Sequence, residues 1–307
     1  MRGLHSICGG PLQTIMPVES IRPRARSEAL LRRKTASSPR FIVSGYVAAR
    51  LIKLVGNFLK GPCYLFYLLC PSRRFVIPAD ARPLVPSRTA QSVPRTVWLT
   101  NFSARVSLPV YLNYLFNRLM APAYRFRFMD DRDAACFVAR ECPGRTADLY
   151  GRLQIGAARA DLWRLLVLQR YGGVYMDIDA HVVRPMQSVV SADASEVYLE
   201  HKAGALTNYF LASIAGNPRL AAVIEAVLKN IETCAGDDVA GLTGPGVLDA
   251  VVGPLTANRA YYKVTCYQGT FTNEFFQYLD SAEEKWFRQQ RRVAIVKPDT
   301  CLESPNA

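Results

Sequence analysis

The sequence predicts an α/β domain with a mixed sheet, because segments typical of strands alternate with segments typical of helices along most of its length. Strands are predicted over 93–100, 124–129 and 206–213, where apolar residues alternate with others. Helices are predicted over 109–119 and 218–234, and Asp130 and Asp131 are predicted to cap the helix that follows the strand 124–129. Further strands are predicted over 196–200, 261–267 and 293–297. A chain of this kind packs helices on the faces of one sheet.

The charge of the chain is concentrated in its first third. The 307 residues carry a formal net charge of +13, and residues 1–95 hold 16 Lys and Arg against 3 Asp and Glu. Residues 96–307 hold 22 of each and are neutral. The chain therefore has two physically different parts, a basic leading part and a neutral part large enough to bury a core.

Cysteine and histidine usage argues against a structural zinc site. The eight Cys are scattered without a C-x-x-C pair, and the three His are His5, His181 and His201. Scattered thiols at this density are typical of a reducing compartment, and nothing in their spacing requires disulfides.

Residues 1–40 are predicted to be disordered, since they are rich in Arg, Ser and Pro and show no apolar periodicity. The same composition is typical of a transit peptide. It is equally compatible with sequence upstream of a true start at Met16.

Residues 41–70 predict an amphipathic helix, with a break expected within it at Gly61–Pro62. Arg50, Lys53 and Lys60 interrupt the apolar residues at helical spacing and form a cationic stripe, a pattern typical of a helix lying on an anionic membrane surface. The alternative is an ordinary amphipathic helix packed on the domain that follows. Residues 71–92 are rich in Pro and are interpreted as a linker, so the folded domain is predicted over 93–307.

The most informative stretch is 159–184, which predicts a buried helix, a double-Gly stop and a strand. The helical part is apolar nearly all round apart from Asp161 and Arg164, which are three apart and share a face. Gly172 suits the left-handed cap position. The strand is predicted over 174–179.

The predicted strand ends in two carboxylates, Asp177 and Asp179, on the same face. Like charges this close repel, and a divalent cation with a preference for hard oxygen ligands would hold them together. The alternative is structural: Asp161 and Arg164 pair with each other, and the two aspartates are a solvated strand end.

These residues resemble a known family. The stretch from Ala160 to Asp179 has three parts in order. They are a small residue followed by Asp-Leu-x-Arg, a Leu-rich helix, and Tyr-Gly-Gly-x-Tyr-x-Asp-x-Asp. It is similar to the Och1-like glycosyltransferases with a DXD sugar-binding region, which are related to the catalytic domain of the large clostridial glucosylating toxins. The looser resemblance extends over about 93–252. It implies a GT-A, Rossmann-like fold and a retaining hexosyltransferase with a nucleotide-diphosphate donor, a UDP- or GDP-sugar.

The resemblance also implies four catalytic residues. Asp161 and Arg164 match residues that hold the hydroxyls of the transferred sugar. Asp177 matches a residue that reaches the ribose or the sugar, and Asp177 and Asp179 match the ligands of Mn²⁺ or Mg²⁺, which acts as a Lewis acid on the diphosphate. No His follows His201, so the residue that completes the metal site is not identified.

Five further donor-binding residues are implied. Trp98 matches an aromatic that stacks on the base, with a core aromatic as the alternative. Tyr175 belongs to the motif, and Asn208 matches an Asn that faces the donor sugar. Gly244 and Pro245 open a helix whose N–H groups can hold a phosphate.

The implied acceptor is a hydroxyl of a glycan, a lipid-linked molecule or a protein, in polysaccharide or glycoconjugate synthesis. The expected location is the inner face of the cell membrane in a bacterium, or the Golgi or another secretory membrane in a eukaryote. Two other classes compete. A haloacid-dehalogenase-like magnesium phosphatase would also use Asp177 and Asp179, but it expects Thr or Val where His181 stands. A non-enzymatic protein could bind polyanions through the basic arm, although nucleic acid is disfavoured because the arm lies outside a folded module.

Overall fold

The structure is a computed structural model that describes residues 39–87, 89–236, 238–280 and 285–297, without the side chains of 39–42 and 286. The predicted disorder over 1–40 lies outside the described residues, except that residues 39 and 40 begin a helix. From residue 39 onward the described residues belong to one compact unit.

The helices are α1 Pro39–Leu69, α2 Leu108–Met120, α3 Asp131–Glu141, α4 Arg145–Arg152, α5 Gly156–Tyr171, α6 Met186–Val189, α7 Pro218–Thr233, α8 Val239–Leu242, α9 Pro245–Val252, α10 Glu274–Gln277 and α11 Trp286–Gln289. The strands are β1 Phe75–Val76, β2 Asp80–Ala81, β3 Thr96–Asn101, β4 Arg105–Val106, β5 Arg125–Asp130, β6 Gly173–Met176, β7 Ala180–Val182, β8 Glu196–Glu200, β9 Leu206–Ser213, β10 Arg259–Tyr261 and β11 Cys266–Gln268.

A mixed sheet of seven strands lies at the centre of the described chain, in the order β10-β8-β9-β6-β3-β5-β2. Strands β5, β3 and β6 are parallel to one another, as are β8 and β10. Strands β9 and β2 run against their neighbours. The predicted α/β class with a mixed sheet is therefore confirmed.

Helices cover both faces of this sheet, as the alternation along its strands requires. On β6, Val174 and Met176 point into the core layer that contains α2, whereas Tyr175 points into the layer that contains α5 and α7. Pro at the first turn starts α2 and α7, and the Asp130 side chain caps α3 by accepting from the Asp133 N–H. The capping role predicted for Asp130 is confirmed.

The central stretch forms as predicted up to the end of its strand. Helix α5 is buried nearly all round and stops at Gly172, whose φ of 64° lies in the left-handed region and whose N–H bonds to the Leu168 carbonyl. The strand, however, ends at Met176. Asp177 and Asp179 lie in a tight turn, closed by a bond from the Ala180 N–H to the Asp177 carbonyl, that leads directly into β7.

Two boundaries predicted in the leading part are wrong. Residues 71–92 are packed on the domain: β2 forms the edge of the central sheet, and Ile77 is fully buried. Helix α1 also runs on through Pro62, although proline removes one backbone hydrogen bond. Contacts on both sides of Pro62, at Gly56 and Cys63, hold the helix against the domain and offset that loss.

The late strands also differ from the prediction. The run 261–267 is divided, because β10 joins the central sheet beside β8 and the chain then leaves it through a 3₁₀ turn over Tyr262–Val264. Strand β11 pairs instead with β7, outside the central sheet. Residues 293–297 form an isolated β-bridge in place of a strand: Val296 lies opposite Leu153, the Gln154 N–H donates to the Ile295 carbonyl, and the Lys297 N–H donates to the Arg152 carbonyl.

Candidate functional site

A cavity of about 610 Å³ opens where the parallel strands β3, β5 and β6 end. Ligands of open α/β sheets bind at this edge, beyond the carboxyl ends of the strands. Most of the residues implied by the sequence line it: Asp161, Arg164, Tyr175, Asp177, Asp179, Asn208 and Pro245. Asp131, at the start of α3, lines it as well.

Asp161 is a buried carboxylate whose two oxygens are held by three neighbouring side chains. Its Oδ1 accepts from Arg164 Nη2 at 3.0 Å and from Asn208 Nδ2 at 2.8 Å. Its Oδ2 accepts from Thr243 Oγ1 at 3.3 Å. Burial raises the pKa of this carboxyl to about 6, while Arg164 favours its charged form. The carboxylate is thus fixed in direction, with one edge at the cavity.

Arg164 connects the helix to the acidic turn. Its Nη1 donates to the Asn208 carbonyl at 2.8 Å and lies 3.3 Å from Asp177 Oδ1. Its guanidinium carbon stands 4.4 Å from the centre of the Tyr175 ring, and the Tyr175 hydroxyl donates to the same Asp177 oxygen at 2.6 Å. The predicted contact between Asp161 and Arg164 is present, but it is one part of a network that includes Asp177.

Gln268 holds the two carboxylates of the acidic turn together. Its Nε2 donates to Asp177 Oδ2 at 2.7 Å and to Asp179 Oδ1 at 3.3 Å. Burial, and then the charge of Asp177, raise the pKa of Asp179 to about 7. Two carboxylate oxygens therefore converge on one position, which here is taken by an amide donor.

This arrangement fits a divalent cation. Asp177 and Asp179 offer oxygen ligands toward a shared point, and the amide of Gln268 could turn its oxygen to the same point. In the part of the chain that the structure describes, no three His, Cys, Asp or Glu side chains converge on a common site. A cation bound here would thus complete its shell with the amide, the donor phosphates and water, as Mg²⁺ commonly does.

Residues 109–196 match the family model described as "Glycosyltransferase sugar-binding region containing DXD motif". The match spans 88 of the 307 residues and includes Asp161, Arg164 and the acidic turn, so these residues are similar to a DXD-type glycosyltransferase sugar-binding region. It supports a sugar transferase and favours this class over the phosphatase and polyanion-binding alternatives. A search of the curated proteins found no match.

Solved structures of glycosyltransferase domains also resemble the chain. "PaToxG Glycosyltransferase" has a TM-score of 0.40 and 15% identity, over 68% of this chain and 79% of its own. The ligand-free glycosyltransferase domain from the YGT toxin has a TM-score of 0.29 and 14% identity, over 41% of this chain and 49% of its own. The UDP-bound form of the same domain has a TM-score of 0.33 and 13% identity, over 48% of this chain and 54% of its own.

Trp98 is a core residue in this structure, which corrects its predicted place beside the base. Only 2% of it is exposed, its Nε1 donates to the Gly172 carbonyl at 2.9 Å, and its ring stacks on Tyr171. It does not line the cavity. Two other aromatics do: Phe102 and Tyr278 face each other with ring centres 6.4 Å apart and planes 13° from parallel.

Gly244 also differs from its implied role. Its N–H donates to the Val239 carbonyl at 3.0 Å, so this amide is already bonded. A Cβ on Gly244 would lie 3.0 Å from Asp161 Oδ2 and 2.9 Å from Ala240 Cα. Gly244 therefore lets α9 approach the Asp161 carboxylate closely, and Pro245 beside it lines the cavity.

The sequence missed Gln268, Thr243, Phe102 and Tyr278. Gln268 is 89 residues beyond Asp179 and has no motif around it. It reaches the acidic turn only because β11 pairs with β7, in a register that sets Gln268 opposite Ala180. The residues around Gln268 do not predict that its strand pairs with β7 in this register. Thr243 stands directly before the noted Gly244–Pro245 step and could have been found there.

Proposed function

We propose that this chain is a glycosyltransferase that moves a hexose from a nucleotide-diphosphate sugar to a hydroxyl acceptor, with the help of Mn²⁺ or Mg²⁺. The observation that carries this proposal is the network of Asp161, Arg164, Asn208 and Asp177 at the cavity wall. It presents fixed donors and acceptors of hydrogen bonds, which is what recognition of a polyol requires. The acidic turn lies next to it, where a diphosphate attached to that sugar would be bound.

Each residue has a defined role in this proposal. Asp161 accepts from sugar hydroxyls, and Arg164 holds Asp161 and Asp177 in position while its guanidinium faces the sugar. Asp177 and Asp179 hold the cation, which stabilises the charge that develops on the leaving diphosphate. Tyr175 orients Asp177 through its hydroxyl. Because these groups are fixed before the donor binds, little reorganisation is needed during the reaction.

The donor base is proposed to stack on the aromatic pair Phe102 and Tyr278 at the cavity wall. Their rings lie nearly parallel at the cavity wall, which Tyr175 and Phe287 also line, whereas Trp98 is enclosed in the core. The glycosyltransferase domain from the YGT toxin has been solved with UDP bound. A UDP-sugar is therefore the first donor to test on this chain, and a GDP-sugar is the second.

The stereochemical outcome and the acceptor are proposed from the family resemblance. We expect retention of the anomeric configuration, which proton NMR of the product can check. The acceptor is proposed to be a hydroxyl of a glycan, a lipid-linked molecule or a protein, in polysaccharide or glycoconjugate synthesis. An acceptor panel with one radiolabelled donor tests these three classes side by side.

A thermal-shift panel of UDP- and GDP-sugars, with and without Mn²⁺, tests the donor and the cation. A ligand at one hundred times its Kd stabilises the fold by about 2.7 kcal/mol, so the correct donor should raise the melting temperature clearly. Donor hydrolysis is then measured in EDTA and after Mn²⁺ is restored. Full activity in EDTA would exclude the cation, and the absence of any shift across the panel would refute the proposed donor class.

A further inference from the structure

Over residues 45–63, helix α1 packs on the domain with its small side chains and exposes most of its large ones. The inner face carries the buried residues Gly45, Ala49, Gly56 and Cys63, and Tyr67 is buried in the last turn of the helix. At 3.6 residues per turn, the opposite side carries large apolar residues that are 52% to 78% exposed. They include Val47, Leu51, Leu54, Phe58, Leu65 and Leu68. This is the reverse of an ordinary amphipathic helix on a soluble domain.

The orientation of α1 is fixed by close contacts on its inner face. A Cβ on Gly45 would lie 2.9 Å from the Val264 Cβ, and one on Gly56 would lie 2.7 Å from Thr270 Cγ2 and 2.8 Å from the Thr270 carbonyl oxygen. Side chains as large as Leu or Phe therefore have no room at these two positions. Rolling the helix to hide its apolar face would require the domain to open, so the exposed face is a property of this fold.

The chemistry around the exposed apolar face indicates what covers it. Residues 39–79 contain six Lys and Arg and no Asp or Glu. Arg50 and Lys53 are exposed along one edge of the face. Arg74 is paired with Asp280, and Lys60 donates to the Gly269 carbonyl. An apolar stripe with two exposed cations along one edge is complementary to a surface that is apolar inside and anionic outside. No helix in the described residues is both long and apolar enough to cross a bilayer.

We propose that the outer face of α1 is a docking surface for an anionic lipid bilayer, with the helix lying in the plane of the interface. The apolar side chains enter the boundary between headgroups and acyl chains, and Arg50 and Lys53 contact the lipid headgroups. This docking does not depend on the sugar-transfer chemistry proposed for the cavity.

Docking in this way would place the cavity close to the lipid headgroups. The inner face of α1 contacts the cavity wall directly, because Lys60 Nζ donates to the Gly269 carbonyl at 3.1 Å and Asn273 Nδ2 donates to the Tyr64 hydroxyl at 2.7 Å. Gly269 and Asn273 both line the cavity. The bilayer surface would thus lie about one helix diameter, roughly 10 Å, from that wall.

Vesicle sedimentation of the full chain tests this proposal. The vesicles contain phosphatidylcholine with and without phosphatidylserine, and each is used at low and high salt. We expect binding to the phosphatidylserine vesicles that weakens as salt rises. The double variant Leu54→Ser/Phe58→Ser should bind roughly tenfold more weakly or worse. Its matched control is Leu119→Ser/Leu255→Ser, which removes exposed leucines elsewhere and should bind like the wild type.

A measurement of how deeply α1 enters the bilayer keeps the test independent of any folding defect in the serine variant. Phe58→Trp adds a fluorophore to the exposed face, and its emission should shift to the blue and be quenched by brominated lipids. Leu119→Trp, away from that face, should show neither change. Wild-type chain that fails to bind phosphatidylserine vesicles overturns the proposal. So does a wild-type dimer that Leu54→Ser/Phe58→Ser converts to a monomer, because a second copy would then cover the face.

Discussion

Helices α1 and α5 are both mostly apolar, yet the fold uses them in opposite ways. Helix α5 is buried nearly all round, and its Asp161 and Arg164 point inward to the cavity. Helix α1 buries mainly small residues, with Tyr67 in its last turn, and leaves residues such as Phe58 75% exposed. The difference shows that apolar content does not decide which side of a helix is buried. The side that can approach its neighbours most closely decides it, and on α1 that side is lined by glycine and alanine.

The strongest test of this comparison is Arg164→Leu. It leaves Asp161 and Asp177 without their shared cation in a buried site, so unfolding should become about 3–5 kcal/mol easier. Arg164→Lys keeps the charge but loses the fork that spans both carboxylates, so it should fold while turnover falls about a hundredfold, equivalent to about 2.7 kcal/mol. Chemical denaturation and donor hydrolysis measure the two effects.

The control for Arg164→Lys is Arg170→Lys, at an exposed position of the same helix. Arg170→Lys should change neither the free energy of unfolding nor the rate of donor hydrolysis. If Arg164→Lys loses turnover only in proportion to the protein that unfolds, the network is structural and its role in sugar binding is wrong.

Removing one leucine from each helix compares the two environments directly. Leu162→Ala on α5 empties a fully buried position and should cost about 2–5 kcal/mol of stability. Leu54→Ala on α1 removes a side chain that is 69% exposed and should change stability by less than about 0.5 kcal/mol. Equal losses in urea denaturation would show that the outer face of α1 is covered within the chain.

The inner face of α1 is tested by Gly56→Ala. The new Cβ would collide with the Thr270 side chain and carbonyl, so the overpacked contact should cost about 1–3 kcal/mol. Gly151→Ala on α4 is the matched change, because nothing lies within 4 Å of its Cβ position. It should stabilise the chain by about 0.5–1 kcal/mol. A neutral Gly56→Ala in thermal melting would mean that α1 is not packed closely here.

The acidic turn itself is tested by Gln268→Leu. Losing the donor between Asp177 and Asp179 should lower the stability of the metal-free protein by about 1 kcal/mol. Added Mn²⁺ should restore most of it, since the cation neutralises the same repulsion. The Mn²⁺ dependence of the melting temperature checks this. Gln277→Leu, at the same cavity wall, is the control and should leave that dependence unchanged.

Local patterns predicted the elements whose causes are local. The helix that ends at Gly172, the alternation along β6 and the Asp130 cap each depend on a few neighbouring residues, and each is confirmed. The acidic turn and Asp161 were found for the same reason, because their motif is continuous in sequence. The predicted position of the strand end was wrong by three residues, since the turn into β7 begins at Asp177.

What the sequence did not predict depends on contacts between distant segments. Helix α1 continues through Pro62 because the residues before and after this proline pack on the domain. Residues 71–92 pack on the domain because β2 pairs with β5. Trp98 turns to the core because Gly172 offers a carbonyl 74 residues later. Gln268 reaches the carboxylates through the β7–β11 register. None of these partners is visible from the residues around it.

The segment between Gln268 and Asn273 lies between α1 and the acidic turn, so it determines how much of the chain the site needs. It touches Asp177 and Asp179 on one side and Gly56, Lys60 and Tyr64 on the other. The wall of the cavity is therefore assembled from both ends of the described chain. A transplantable catalytic unit would have to start at α1 and not at residue 93, because a shorter one would keep the motif and lose the support of the wall opposite it.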